Sequence, residues 1–239
     1  MKTESRVIVA LDGLEVEQAL GLAKRLSGLV WGFKANDLLD GDVAPKILIE
    51  RLSEHGKVFV DIKAHDIPNT VANRVAKHAK HGAHLVTVHA SGGKKMLEAA
   101  VKAFNDHKRE DALGILAVTV LTSLDRSECL EIYGGRPSEE VNLLAKHAAS
   151  AGAWGIVCSP QELEIVRAYT NLKFVTPGIR LAETGVQDQV RVDTPANAIR
   201  DGAELIVVGR PIVQAADPVQ AATIFNQLVA GALGGKGVS

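Results

Sequence analysis

Short β-branched runs alternate with longer segments of helical period about eight times along the 239 residues, and this predicts an α/β fold, a single-domain (β/α)8 TIM barrel over residues 1–239. Two further observations support that class. The strand runs are apolar almost without interruption, as strands covered on both faces by helices are. Polar side chains follow directly after nearly every run, at the end where barrels of this kind carry their sites.

In chain order the strand candidates are RVIVALD (6–12), VWGFKA (30–35), VFVDIK (58–63), LVTVHA (85–90), LGILAVTVL (113–121), GIVCS (155–159), KFVTPGI (173–179) and ELIVVGR (204–210). Between them lie the helical segments EVEQALGLAKRLSG, DVAPKILIERLSEHG, PNTVANRVAKHAKHG, KKMLEAAVKAFNDH, SEEVNLLAKHAASAG, QELEIVRAYT and TPANAIRDG, with DPVQAATIFNQLVAG after the last strand. Several of these end in Gly, a common residue at a helix C-terminus. Periodicity does not prove closure, so an open doubly wound sheet is the alternative. The absence of G-x-G-x-x-G after the first strand weakens its dinucleotide-binding version. A flexible tail is expected at about 234–239, within GGKGVS.

The composition is that of an ordinary globular domain: 46% hydrophobic and 23% charged residues, with a formal net charge of −1. Such a balance recruits neither nucleic acid nor an acidic membrane surface, so an anionic ligand needs a local site. No apolar run approaches the ~20 residues of a membrane span. Cys129 and Cys158 suit neither a zinc site nor a redox pair, and reduced thiols in a cytoplasmic protein are expected. Aromatics are only 4%, so the core should be built from Val, Ile, Leu and Ala.

The residues at the strand ends are Asp12, Lys34, Asp61 with Lys63, His89, Thr122 with Ser123, Arg180 and Arg210. One such residue is ordinarily a cap or salt bridge; a set drawn from nearly every strand is hard to explain that way. TPGIR (176–180) and VVGRPI (207–212) close strands seven and eight, whose loops usually hold phosphate in a barrel. Gly178 and Gly209 let the backbone approach a ligand, and Arg180 and Arg210 offer forked donors to an anion. The long polar connection LAETGVQDQVRVD (181–193) is expected to be a lid, with Gln189 as an amide donor to phosphate.

The stretch VFVDIKAHDIPNTV (58–71) carries the chemistry. Residues i and i+2 of a strand share a face, so Asp61 and Lys63 point together into the mouth. A carboxylate beside a buried lysine favours the ammonium form; at ~4 Å and an effective dielectric of ~20 such a pair is worth about 4 kcal/mol before desolvation. Lys63 is therefore expected to donate a proton rather than attack as an amine. If a phosphate anchors the ligand, its remote binding energy can force a substrate carboxylate beside Asp61, a repulsion relieved as CO2 departs. Lys63 would stabilise the carbanion and protonate it. The same groups could equally move a proton beside a carbonyl.

At this point VIVALD, FK, DIKAHDIPNTV, TVHASGG, VTVLTS, TPGIR, DQVRVDTP and VVGRPI together resemble the orotidine 5'-phosphate decarboxylase family over essentially the whole chain. The resemblance implies conversion of orotidine 5'-monophosphate to uridine 5'-monophosphate and CO2, with no cofactor and no metal. It implies that Asp12 and Lys34 contact the ribose, that Lys63 donates the proton, and that Asp61 lies beside the departing carboxylate. Thr122 would meet the pyrimidine, while Arg180, Gln189, Gly209 and Arg210 would hold the phosphate. Asp66, Ile67 and Thr70 would reach the neighbouring subunit's site, which implies a homodimer. Two positions depart from the family's pattern. Ala35-Asn36-Asp37 replaces a small residue followed by Gly, a place where Asn tolerates left-handed backbone. Ala64 replaces a larger residue and should face away from Lys63.

The nearest rivals are keto-gulonate 6-phosphate decarboxylase and hexulose-phosphate synthase, which are similar at D-x-K-x-x-D, need Mg2+ and carry an acid where Lys34 stands. A silent phosphate-ligand binding protein is the rival from another class. His78, His81 and His84 read as solvated surface histidines, His89 as a hydrogen bonder behind the site, and Trp31 and Trp154 as packing residues.

Overall fold

The structure, a computed structural model, describes residues 5–169, 171–181 and 193–234. Eight parallel strands pair in sequence order and close on themselves: β1 (Val7–Ala10), β2 (Gly32–Ala35), β3 (Lys57–Ala64), β4 (Leu85–His89), β5 (Gly114–Val118), β6 (Gly155–Val157), β7 (Lys173–Thr176) and β8 (Leu205–Val208). Closure is made by the β1–β8 ladder, in which Val7, Ile8 and Val9 oppose Ile206, Val207 and Val208. The barrel, rather than the open sheet, is the fold.

The helices that cover it are α1 (Val16–Leu26), α2 (Pro45–Ser53), α3 (Pro68–Lys80), α4 (Lys94–Asn105), α5 (Arg126–Tyr133), α6 (Pro137–Ser150), α7 (Leu163–Val166), α8 (Pro195–Asp201), α9 (Arg210–Val213) and α10 (Pro218–Gly234). Proline at the first turn starts α2, α3, α6 and α8, where its missing N–H costs nothing. Two helices were not expected. The first, α5, follows β5 and is announced by a reciprocal cap: Asp125 accepts from the Glu128 N–H at 2.9 Å, and Glu128 accepts from the Asp125 N–H at 3.0 Å. Its buried face is only Cys129, so no apolar stripe betrays it in the sequence. The second, α9, is a single short turn directly after β8. The expected tail beyond Gly234, and the expected lid over 181–193 apart from its end residues Leu181 and Asp193, lie outside the described residues.

Two cores result from the alternation of each strand. The outward side chains pack with the helices in one large apolar layer that includes Phe33, Val58, Val60, Val86 and Val88. The inward ones form a smaller plug inside the barrel: Ile8, Ala10, Phe59, Leu85, Leu116, Val175, Leu205 and Val207, with Trp31. Gly32 is required for this closeness, because a Cβ there would lie 2.0 Å from the Lys57 carbonyl oxygen on β3.

Above the apolar plug the inward positions turn polar. Going two residues further along each strand takes β1 from Ala10 to Asp12, β2 from Gly32 to Lys34, β3 from Phe59 to Asp61, and β4 from Leu85 to Thr87. That switch sets the floor of the site.

Candidate active site

The four N-terminal strands converge on one carboxylate. Asp61 Oδ2 accepts from the Lys34 ammonium at 2.9 Å and from the Lys63 ammonium at 2.7 Å. Lys34 also donates to Asp12 Oδ2 at 2.8 Å. The other oxygen, Asp61 Oδ1, accepts from the Thr87 hydroxyl at 2.8 Å, and Thr87 Oγ1 accepts from the Lys63 backbone N–H at 2.9 Å. Every strand from β1 to β4, or the residues that follow it, thus holds one part of a continuous network.

Burial of Asp61 opposes its charge, but Lys34 and Lys63 outweigh it and hold the carboxyl down at about 2, from an ordinary 3.8. Burial likewise opposes the charge of Lys34; Asp61 and Asp12, by charge and hydrogen bond, raise its pKa above the ordinary lysine value. The two ammoniums are not equivalent. The Lys34 side chain is 10% exposed and engaged on both sides, whereas that of Lys63 is 33% exposed. Both line the cavity described below, and Lys63 is the more accessible of the two.

Sequence alternation explains only part of how Lys63 gets there. Among the described residues it is the one non-glycine with positive φ, at 40°, and the β3–β4 register shifts between Val60 and Ala64. This β-bulge re-aims the side chain at the rim, as bulges beside sites do. Ala64 rejoins the ladder opposite Val88 and is fully buried on the outer face, as expected.

A cavity of about 620 Å³ opens over this array at the C-terminal ends of the strands. Its lining includes Asp12, Lys34, Asp61, Lys63, Thr122, Gly178, Arg180, Gly209 and Arg210, so the structure brings these expected residues together from both ends of the chain. Gly178 has φ 78°, which turns the chain after β7; beyond it the Arg180 N–H bonds to the Asp193 carbonyl at 3.0 Å and the Asp193 N–H to the Gly178 carbonyl at 3.2 Å. Gly209 precedes α9, with Arg210 as the first helical residue. The wall between is apolar: Val118, Val120, Leu121, Val157, Val207 and Val213. Gln189 lies outside the described residues.

Asp66, Ile67 and Thr70 do not line this cavity within one chain. Asp66 accepts from the Ile67 N–H at 2.6 Å, and Ile67 is 66% exposed. His89 stands outside the lining too, its ring 5.5 Å from that of His65. Burial, then His65 and Lys63, lowers its pKa, and Asp61 opposes the shift.

His78 and His84 are buried, not solvated. Burial first, then His81, Arg74 and Lys77, brings His78 down to about 4. His84 Nδ1 accepts from the Val58 N–H at 3.1 Å, so it ties the start of β4 to β3. Ser123 is exposed and off the cavity. Asn36, at φ −125°, is not left-handed; it lines the cavity, and Asp37 Oδ2 accepts from the Gly13 N–H at 2.7 Å. Sequence reasoning missed Asn36, Gln214 and Thr87. For Thr87 a signal existed: a hydroxyl two positions after inward Leu85 in an apolar strand. Among the described residues no group of three or more His, Cys, Asp or Glu is arranged to hold a metal ion, and no helix is long and apolar enough to cross a membrane.

A closed parallel barrel with ionised groups converging at its C-terminal mouth belongs to the class of (β/α)8-barrel enzymes. The profile of the family described as "Orotidine 5'-phosphate decarboxylase / HUMPS family" matches residues 5–225. A protein of Marinomonas sp. (strain MWYL1) named orotidine 5'-phosphate decarboxylase is 42% identical over 95% of this chain and 97% of its own. One of the same name from Paramagnetospirillum magneticum is 45% identical over 90% of this chain and 94% of its own. The crystal structure of orotidine 5'-phosphate decarboxylase from Lactobacillus acidophilus superposes with a TM-score of 0.79 at 33% identity, covering 95% of this chain and 99% of that one. This chain belongs to the orotidine 5'-phosphate decarboxylase / HUMPS family.

Proposed function

We infer that the protein converts orotidine 5'-monophosphate to uridine 5'-monophosphate and CO2, in pyrimidine nucleotide biosynthesis, and does so without a metal ion or organic cofactor. The observation that carries this reading is one ionised carboxylate, Asp61, held between Lys34 and Lys63 at the floor of a cavity whose far rim bears two arginines.

In this reading Arg180, Gln189, Gly209 and Arg210 take the phosphate, Asp12 and Lys34 the ribose hydroxyls, and Thr122 an edge of the pyrimidine. The apolar wall of β5 to β8 suits the faces of a flat ring. Binding energy at the phosphate end drives the substrate carboxylate toward Asp61, which stays ionised because its pKa is held at about 2. As the bond to the carboxylate breaks, CO2 leaves and the electron pair remains on the ring carbon. The Lys63 ammonium faces that charge, then transfers a proton to the same carbon, forming the new C–H bond and leaving a neutral amine. Solvent reprotonates it.

Asp66, Ile67 and Thr70 do not line their own cavity and Ile67 is exposed, and this supports their service to the site of a second copy in a homodimer. Light scattering of the purified chain tests this, and the mass of a single chain overturns it. The Mg2+-dependent rivals are disfavoured because an ammonium, Lys34, fills the β2 position where they carry an acid. The deciding experiment follows orotidine 5'-monophosphate absorbance with and without EDTA. Equal turnover in both is expected; activity abolished by the chelator, or binding without turnover, overturns the proposal.

A further inference from the structure

Thr87 is fully buried on β4 and does not line the cavity, yet it touches both halves of the reactive pair. Its hydroxyl carries one proton, donated to Asp61 Oδ1 at 2.8 Å, and its oxygen accepts the Lys63 backbone N–H at 2.9 Å. The chain of bonds therefore has a fixed direction: N–H to hydroxyl to carboxylate.

Each bond has a separate consequence. An aspartate carboxylate can rotate and present either oxygen to a cation. With Oδ1 fixed by Thr87, Oδ2 alone meets both ammoniums, at 2.9 Å from Lys34 and 2.7 Å from Lys63. The second bond acts on the backbone. Lys63 sits at φ 40° where the β3–β4 register shifts, a conformation that persists only where surroundings impose it. A ladder N–H loses its regular partner at such a shift, and Thr87 Oγ1 is the acceptor that this one finds.

We propose that Thr87 is a positioning residue of the reaction: its hydroxyl fixes the rotation of the Asp61 carboxylate and the backbone bulge that aims Lys63 into the cavity. The kinetic part of this rests on the decarboxylase reading. Valine matches threonine in shape but provides neither bond; serine provides both.

The test compares wild type, Thr87→Val and Thr87→Ser in steady-state turnover of orotidine 5'-monophosphate. For Thr87→Val, kcat should fall on the order of 10- to 100-fold, since misplaced groups lose rate rather than affinity, while KM moves less than about threefold. Thr87→Ser should stay within about threefold of wild type in both constants. Unchanged kcat in Thr87→Val, a loss confined to KM, or a serine variant no better than valine overturns the proposal. Amide hydrogen exchange at Lys63 supplies a readout independent of activity. It should accelerate at least about tenfold in Thr87→Val and not in Thr87→Ser. If wild type leaves orotidine 5'-monophosphate unchanged, the decarboxylase reading fails, and the exchange at Lys63 still decides the role of Thr87: equal protection in both variants refutes it. Should Thr87→Val be insoluble, Thr87→Cys, with its weak thiol donor, takes its place in both measurements with the same sign.

Discussion

The two halves of the cavity are built on opposite plans. From β1 to β4 the wall is charged and already self-satisfied, with Asp12, Lys34, Asp61 and Lys63 linked at 2.7–2.9 Å to one another and to Thr87 behind them. From β5 to β8 it is mainly valine and leucine, with Thr122, Arg180, Arg210 and Gln214 also in the lining. A network that holds its own geometry before a ligand arrives suits the reacting end, because pre-organised charge does not have to reorganise during the reaction. A smooth apolar wall with arginines suits the anchoring end, where shape and net charge matter more than the placement of one proton.

That contrast can be broken from either side. The largest effect is expected from Lys63→Ala on the charged half, which removes the proposed proton donor and an ammonium bound to Asp61. kcat should fall on the order of 10⁴-fold with the fold intact by circular dichroism; near-normal turnover would sink the division of labour. Arg210→Ala on the other half should act mainly through affinity. Truncating a charged hydrogen-bonding partner costs about 2–3 kcal/mol, or roughly 30- to 150-fold in Kd for uridine 5'-monophosphate by calorimetry. An unchanged Kd there, or a loss confined to kcat, would erase the distinction.

The smallest effect concerns stability rather than turnover. Asp61 has a folded pKa of about 2 against an ordinary 3.8, so its ionised form stabilises the fold above about pH 4. That contribution, on the order of 2 kcal/mol, is lost as pH falls through the folded value. Urea unfolding at neutral and acid pH should show Asp61→Asn already destabilised at neutrality, and falling less steeply than wild type under acid. Parallel curves for the two proteins would mean that Asp61 is not pinned as its contacts indicate.

Much of this site was legible in the sequence because a barrel places every strand end at one rim. Once the alternation of β and α was recognised, Asp12, Lys34, Asp61, Lys63, Thr122, Arg180 and Arg210 were candidates by position alone, and the structure brings all seven to one cavity. Expectations failed where local pattern carried no information. The eight residues of α5 bury almost nothing, so the only sign of that helix was the Asp125–Glu128 cap. His78 reads in the sequence as a surface residue among lysines, yet the packing of α3 buries it.

By itself the sequence determined the fold class, the end of the barrel that carries the site, and the residue types available there. These follow from local periodicity and strand direction, which a chain carries in its own order of apolar and polar residues. Tertiary structure alone decided closure, since the β1–β8 ladder joins residues about two hundred positions apart. It also decided the geometry of VFVDIKAHDIPNTV. Simple alternation would have placed Asp61 and Lys63 side by side on a regular strand; the observed pairing passes through a bulge at Lys63 and a hydroxyl on the next strand. A hydrogen bond between strands depends on register, and register is settled only when the whole barrel packs.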